Sequence, residues 1–143
     1  MSQEASQSET YLKPLPQKDT LSAPFWAALH AHVLKLQRCE ACSRYAFPPV
    51  SHCPGCLSTQ LAWTAVSGKG KVQAAVTVEH APLPAFKADT PYNVALVDLE
   101  ERVRVWTNVI GCAPADVVCD MAVEAVFDDV TPEHTLLKFR PAR

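Results

Sequence analysis

Apolar and polar residues alternate along much of the chain from Leu61 onward, and this period-two pattern is typical of β-strands with one buried face. Glycines at Gly68 and Gly70 interrupt the first stretch and favour a bend there. The pattern predicts five short strands, the first of them long and bent or split into a pair: residues 62–80, 93–99, 102–110, 121–127 and 135–139. Such an arrangement favours a small closed or half-open barrel of the OB type.

The third predicted strand has two distinct faces and follows a tight hairpin at Glu100-Glu101. The face expected to point inward carries Val103, Val105, Thr107 and Val109. The opposite face carries Arg102, Arg104, Trp106 and Asn108. A tryptophan between arginines is unusual on a purely solvated surface. Either Trp106 lies beneath another part of the chain, or Arg102, Arg104 and Trp106 contact a partner or a ligand.

A short helix is predicted to begin near Ser22, which suits an N-cap, with Pro24 in the first turn. Its apolar stripe is formed by Phe25, Trp26 and Leu29, with Val33 one turn further on. A helix of two to three turns is marginal alone and must pack against something. Two interpretations remain open: the helix docks on its own domain, or Phe25, Trp26 and Leu29 anchor it to another protein.

Two Cys-x-x-Cys pairs, Cys39/Cys42 and Cys53/Cys56, lie between short strands predicted over residues 33–38 and 45–47. This spacing is typical of a structural zinc ribbon, in which four thiolates at about 2.3 Å surround one Zn²⁺ and leave no open coordination position. The alternatives are two disulfides or redox-active pairs. His52 is interpreted as a bystander. The remaining two cysteines, Cys112 and Cys119, are interpreted as small buried apolar residues.

Composition and charge narrow the function classes. The 143 residues fit one domain or two small modules, and we expect a flexible leader over residues 1–21, a helix and zinc ribbon over 22–61, and an OB-fold domain over 62–143. No apolar run reaches the roughly 18 residues of a membrane span, and the polar N-terminus does not resemble a signal peptide, so we expect a cytoplasmic protein. Reduced thiols there favour metal binding over disulfides.

Nucleic-acid binding is disfavoured by the charge distribution. Residues 62–143 contain eight Lys and Arg against eleven Asp and Glu, although a nucleic-acid module usually carries a basic stripe. Possible stacking residues, Trp63, Tyr92 and Trp106, are scattered. No catalytic motif is recognisable, and His80 beside Glu79 and His134 beside Glu133 are more typical of surface residues than of general bases. We therefore assign no catalytic residue.

Several runs resemble one known family of zinc-ribbon plus OB-fold proteins, formerly a domain of unknown function. The resemblance covers residues 22–141. It rests on residues 24–29, 36–42, 47–49 and 53–56 for the rubredoxin-like ribbon, and on residues 94–99, 107–112 and 123–130 for the OB-fold. Members of that family accompany thiolase-like enzymes, aldolases and hydratases that act on acyl-CoA substrates.

The resemblance implies a non-catalytic subunit that docks on a thiolase or side-chain aldolase in a hetero-oligomer, in lipid or steroid side-chain metabolism. It also implies structural zinc at the four paired cysteines. Contact with a CoA thioester would need cations near its phosphates, and the candidates are Lys69, Lys71 and Lys87. The alternative function is a stand-alone module that binds single-stranded nucleic acid or acyl-CoA.

Overall fold

The computed structural model describes residues 11–142, and within that range the chain forms one α-helix, eight β-strands and two 3₁₀ helices. The helix α1 spans Ala23–His30. The strands are β1 (Lys35–Cys39), β2 (Tyr45–Ala46), β3 (Leu61–Ala65), β4 (Lys69–Val78), β5 (Tyr92–Leu99), β6 (Arg104–Thr107), β7 (Ala122–Thr131) and β8 (His134–Pro141). The 3₁₀ helices, Pro84–Asp89 and Pro114–Asp116, lie in the β4–β5 and β6–β7 connections. The first half of the predicted leader, residues 1–10, is outside the described range.

The strands form two antiparallel sheets. One has three strands in the order β2-β1-β3, and the other has five in the order β6-β5-β4-β7-β8. The expectation that residues 62–66 join β4 in one bent strand or strand pair is wrong. Instead β3 pairs with β1, with Gln37 opposite Trp63, and therefore belongs to the cysteine-bearing sheet. Alternation identifies a strand but does not specify its neighbour.

The five-stranded sheet curls into a nearly closed barrel, which confirms the predicted fold class. The beginning of β4 pairs with β7 and its whole length pairs with β5, with a register shift between Val72 and Ala74 that increases the curvature. The barrel closes through a parallel bridge between Val109 and Phe139. There Phe139 N–H donates to the Asn108 carbonyl at 3.0 Å, and Ile110 N–H donates to the Phe139 carbonyl at 2.7 Å.

The inward face of the third barrel strand is as predicted, because Val103, Val105, Thr107 and Val109 are all buried. The predicted start of this strand is wrong, however. Arg102 has a φ of +66° within the turn that joins β5 to β6, and Leu99 accepts its N–H at 2.9 Å. The strand begins at Arg104, so Arg102 is a turn residue and does not extend the row formed by Arg104 and Trp106.

Helix α1 docks on the chain's own core. Phe25 and Leu29 are buried in the core cluster, while Trp26 is partly buried against it. Ser22 occupies the N-cap position but makes no capping bond of the expected kind. Instead its hydroxyl accepts the Asp19 N–H at 3.2 Å, and the Asp19 carboxylate accepts the Ser22 N–H at 2.7 Å. This reciprocal pair is a capping box one turn earlier than predicted.

The chain leaves α1 through a turn that is tied to the barrel. His32 adopts a φ of +60° and its Nε2 lies 2.8 Å from an Asp129 carboxylate oxygen. Its ring stacks on Phe127 with 5.3 Å between centroids. The Thr135 hydroxyl and His32 both lower the pKa of Asp129, so the carboxylate stays ionised at neutral pH. These contacts fix the end of the helix on β7.

Candidate functional site

The two Cys-x-x-Cys segments adopt the same backbone hydrogen-bond pattern. In the first knuckle, Ser43 N–H donates to the Cys39 carbonyl at 2.8 Å and Cys39 N–H donates to the Arg44 carbonyl at 2.8 Å. In the second, Leu57 and Ser58 repeat these two bonds with Cys53, at 2.9 and 2.8 Å. The residue after each knuckle is left-handed, with φ of +66° at Ser43 and +67° at Leu57. Each turn therefore aims two sulfurs at one point.

The four sulfurs converge in a geometry that suits a tetrahedral metal. Cys39 Sγ lies 3.5 Å from Cys56 Sγ, and Cys42 Sγ lies 3.5 Å from Cys53 Sγ. All four lie within 4.8 Å of one another. A disulfide needs about 2.05 Å between sulfurs, whereas a tetrahedron with 2.3 Å bonds has edges of about 3.8 Å. The four cysteines therefore form a metal-binding cluster, and no disulfide links them.

The backbone around the cluster favours thiolates, but their proximity opposes complete ionisation. Backbone N–H groups, chiefly that of Cys56, lower the pKa of Cys53 to about 6. The Ser58 N–H lowers the pKa of Cys56, but contacts with the neighbouring sulfurs and burial outweigh this effect and raise that pKa to about 11. A bound dication removes the conflict, because it compensates the negative charges directly. The convergent group of possible ligands contains the four cysteines and not His52, whose Nδ1 lies 2.8 Å from the Ser51 hydroxyl.

A second feature is an apolar groove of about 710 Å³ where the helix, the ribbon and the barrel meet. We call it the Trp106 groove. Its lining comes from Ser22, Phe25, Trp26 and Leu29, from residues 47–49 that follow β2, and from Leu96 and residues 104–108 and 136–138 of the barrel. Phe25 packs edge-on against Trp26 at 5.1 Å and against Phe47 at 5.3 Å between ring centroids.

Trp106 is the most exposed large side chain of this groove. It is 68 % exposed, so the interpretation that it lies beneath the ribbon or the helix is wrong. On β5 its cross-strand neighbour is Leu96, and the nearby Arg104 pairs with Asp98 at 2.8 Å. Phe25 and Leu29 are buried and form the base of the groove, while Arg102 does not line it. The part of these residues in partner binding stays a prediction.

Several groove residues were missed by reasoning from the sequence. The sequence pattern places Phe47 at the end of a predicted strand and Leu136 and Lys138 within the last one, and neither assignment predicts a groove. The run Phe47-Pro48-Pro49 carried a usable signal, because an aromatic followed by two prolines presents rigid apolar surface at little entropic cost. The last strand carried no such signal.

The three lysines proposed for CoA are not brought together. Lys69 and Lys71 border a cavity of about 430 Å³ that is also lined by Asp98, Glu100 and Asp120. Lys87 lies in the first 3₁₀ helix, beyond the opposite end of β4. Carboxylates beside the first two lysines weaken the attraction to phosphate. Contact with CoA at these lysines remains a prediction.

The two other cysteines behave differently from one another. Cys112 is partly buried against the core, in keeping with a small apolar residue. Cys119 is exposed, with its sulfur 3.5 Å from the Gln73 carbonyl, so the expectation of burial is wrong for this residue. It follows the 3₁₀ helix of the β6–β7 connection, a surface segment whose position the sequence did not reveal.

Among residues 11–142, no helix has the length and apolarity needed to cross a membrane.

Comparison with known proteins agrees with this architecture. Residues 26–62 match the family described as the rubredoxin-like zinc ribbon domain of ChsH2, and residues 63–128 match its C-terminal OB-fold domain. A solved structure described as the Ltp2-ChsH2(DUF35) aldolase is 37 % identical, covers 90 % of this chain and 99 % of its own, and superposes with a TM-score of 0.81. The chain belongs to the ChsH2 (DUF35) family.

Two curated relatives of this DUF35 chain are named as subunits of CoA enzymes. A probable enoyl-CoA hydratase alpha subunit of Thermomonospora curvata is 36 % identical over 140 residues, which is 98 % of this chain but 43 % of that subunit. The benzoylsuccinyl-CoA thiolase subunit BbsA of Thauera aromatica is 32 % identical over 106 residues, 74 % of this chain and 69 % of its own. The chain thus spans less than half of the hydratase subunit.

Proposed function

We propose that this DUF35 chain is a non-catalytic accessory subunit that docks on a thiolase-superfamily enzyme, either a thiolase or a side-chain aldolase, acting on an acyl-CoA. The similar proteins are named as subunits of hydratase, thiolase and aldolase assemblies, which supports a role inside such a complex. We propose a lipid or steroid side chain as the acyl group, in keeping with the resemblance described above.

The observation that carries the proposal is the Trp106 groove. A tryptophan that is 68 % exposed beside partly buried Trp26 gives a concentrated apolar surface of the kind that anchors protein interfaces. The helix supplies one wall and the barrel the other, so a partner would contact both. We propose Trp26, Arg104 and Trp106 as direct contacts, with Phe25 and Leu29 supporting them from below.

Zinc has a structural role in this proposal. We propose Zn²⁺ as the metal held by Cys39, Cys42, Cys53 and Cys56, because four thiolates suit it and leave no coordination position for substrate. The ribbon strand β1 pairs with β3 and so fixes the ribbon sheet that adjoins the groove. A reducing cytoplasm suits thiols that hold a metal, and we place the complex there.

Affinity purification of the tagged chain from its native host tests the function. We expect it to capture a thiolase or side-chain aldolase subunit, identified by mass spectrometry, and the reconstituted pair to turn over an acyl-CoA. Capture of a hydratase alone would contradict the choice of a thiolase-superfamily partner. The isolated chain should show no turnover. Capture of no such enzyme, together with salt-sensitive binding of single-stranded oligonucleotides, would contradict the proposal and favour the nucleic-acid alternative.

A further inference from the structure

The segment that precedes helix α1 lies against the barrel through two lysines. Lys13 Nζ is 2.5 Å from an Asp89 carboxylate oxygen and lies 5.9 Å from the centroid of the Phe86 ring. Both partners belong to the 3₁₀ helix of the β4–β5 connection. Tyr11 contributes a second ring to this ammonium, at 5.8 Å. The contact thus combines an ion pair with two cation–π interactions.

The second anchor lies five residues further along the chain. Lys18 Nζ donates to the backbone carbonyl of Glu133 at 2.5 Å. Glu133 occupies the turn between β7 and β8, a different part of the barrel from the first anchor. Immediately after Lys18, the Asp19–Ser22 capping box begins helix α1. The segment is therefore held at three points: one connection, one turn and the rigid start of a helix.

The two connections that the segment contacts correspond to ligand-binding loops in other OB-folds. The five barrel strands β4 to β8 follow one another in the chain, so β4–β5 is the first connection and β7–β8 the last. In OB-folds generally, these connections and the face of the second and third strands take the ligand. Residues 11–18 contact both of these connections, at Asp89 and at Glu133, and they belong to the same chain as the barrel.

We propose that residues 11–18 form a strap, an intramolecular occupant of the surface framed by the β4–β5 connection and the β7–β8 turn. While the strap is closed, it occupies the Asp89 carboxylate and the Glu133 carbonyl, so neither group is available to a ligand. Release at Lys13 frees residues 11–17, because the structure describes no other ion pair or side-chain hydrogen bond within that stretch, whereas Lys18 keeps its own bond to Glu133. The strap thus regulates access to the barrel, and this inference does not depend on the proposed partner.

The anchors are weak enough for the strap to open. The Lys13 side chain is 31 % exposed and that of Asp89 is 42 % exposed, so solvent screens their attraction. The apolar side chains of the strap contribute little, since Leu12 is 76 % exposed and Leu15 is 37 % exposed. Charge therefore has a larger share in closure than apolar burial, and added salt should favour the open form.

Nuclear magnetic resonance of the full-length, ¹⁵N-labelled protein tests the strap. Two readouts are used: heteronuclear NOE values along residues 11–18, and relaxation by a soluble gadolinium chelate at the amides of residues 84–90 and 133–135. In Lys13→Met we expect the NOE to fall along residues 11–17 and to stay high at Lys18, which has its own anchor. The ratio of the open to the closed form of the strap should rise about two- to fivefold, because the exposed Lys13–Asp89 ion pair is lost.

A matched control separates the strap from a general charge effect. Lys35→Met removes a lysine of β1, in the ribbon sheet, which contributes to neither anchor and should leave both readouts as in the wild type. About 0.5 M salt should open the wild type but change Lys13→Met much less. The proposal is overturned if Lys13→Met leaves the NOE values of residues 11–17 unchanged, if the gadolinium effect at residues 84–90 is unchanged, or if the wild-type strap already has the low NOE values of a free chain.

Discussion

At the scale of single residues, the cysteine cluster depends on local turns more than on the rest of the fold. Both knuckles use the same two backbone hydrogen bonds and a left-handed residue directly after the second cysteine. Gly55 N–H also donates to Cys53 Sγ at 3.3 Å. The ribbon around the cluster is small, with only two residues in β2. Metal binding should therefore supply much of the free energy that folds it.

Replacing one cysteine from each knuckle should unfold the ribbon. Cys39→Ser combined with Cys56→Ser leaves two thiolates, too few for a closed tetrahedral site. We expect the zinc content, measured by plasma mass spectrometry, to fall from about one ion per chain to near zero. Partner capture should disappear with it, because the ribbon adjoins the Trp106 groove.

The control for the cysteine variant is Cys119→Ser. Cys119 is exposed and lies outside the cluster. The zinc content and the thermal unfolding of the Cys119→Ser protein should therefore match those of the wild type. A double variant without zinc that still captured its partner would show that the ribbon is dispensable for docking. Zinc retained by the double variant would show that the paired cysteines are not the ligands.

At the scale of secondary-structure elements, strand β4 carries the strongest steric constraint. It pairs with β5 along its length and with β7 at its start, so its first residues have a neighbour on each side. At Gly70 a Cβ atom would lie 2.4 Å from the Asp98 carbonyl oxygen and 2.9 Å from a Val97 methyl carbon. The absence of a side chain at this position allows β4 and β5 to approach, which the barrel curvature requires.

Gly70→Ala should destabilise the barrel. The new methyl group meets backbone, which cannot rotate away, so we expect a loss of about 1–3 kcal/mol in the free energy of unfolding. Gly55→Ala is the matched control, since its Cβ would meet only the flexible end of the Arg44 side chain, at 2.5 Å. Urea denaturation should show a lower midpoint for Gly70→Ala than for Gly55→Ala. Equal midpoints would contradict the steric argument.

At the scale of the whole molecule, helix, ribbon and barrel combine to form the Trp106 groove. Trp26 comes from the helix, Phe47 follows a ribbon strand, and Trp106 and Leu136 come from two barrel strands. No single element has this surface. The groove depends on the docking of α1 through buried Phe25 and Leu29, so folding of the core and formation of the docking surface are linked.

Trp106→Ala should weaken partner binding without destabilising the chain. The side chain is 68 % exposed and contributes little to the core, so the melting temperature should hardly change. If Trp106 anchors the interface, its loss should reduce affinity by at least about 30-fold, or about 2 kcal/mol. Binding to the captured enzyme can be measured by calorimetry.

Val76→Ala provides the comparison for the tryptophan variant. Val76 is 62 % exposed on β4 and does not line the groove. Its removal tests whether any exposed apolar side chain of the barrel contributes, and we expect unchanged affinity. A similar loss from both variants would place the interface on the wider sheet surface, and no loss from Trp106→Ala would exclude the groove as the docking site.

The amino-acid sequence by itself determined the features that depend on short-range order. The spacing of the cysteines specifies the metal cluster, because two residues between the cysteines of each pair set the turn. The alternation of apolar and polar residues identifies the barrel strands, because successive side chains of a strand point to opposite faces. The buried set Val103, Val105 and Val109 follows directly from that period. The resemblance to zinc-ribbon and OB-fold proteins rested on the same local runs.

The tertiary structure alone decided what depends on distant segments. Strand β3 pairs with β1 rather than continuing into β4, because alternation does not encode which edge a strand joins. Trp106 is exposed because neither the ribbon nor helix α1 covers its side chain, and Lys69 begins β4 whereas Lys87 lies beyond the opposite end of that strand. The groove unites residues more than 100 positions apart, and only the packing of whole elements brings such residues together.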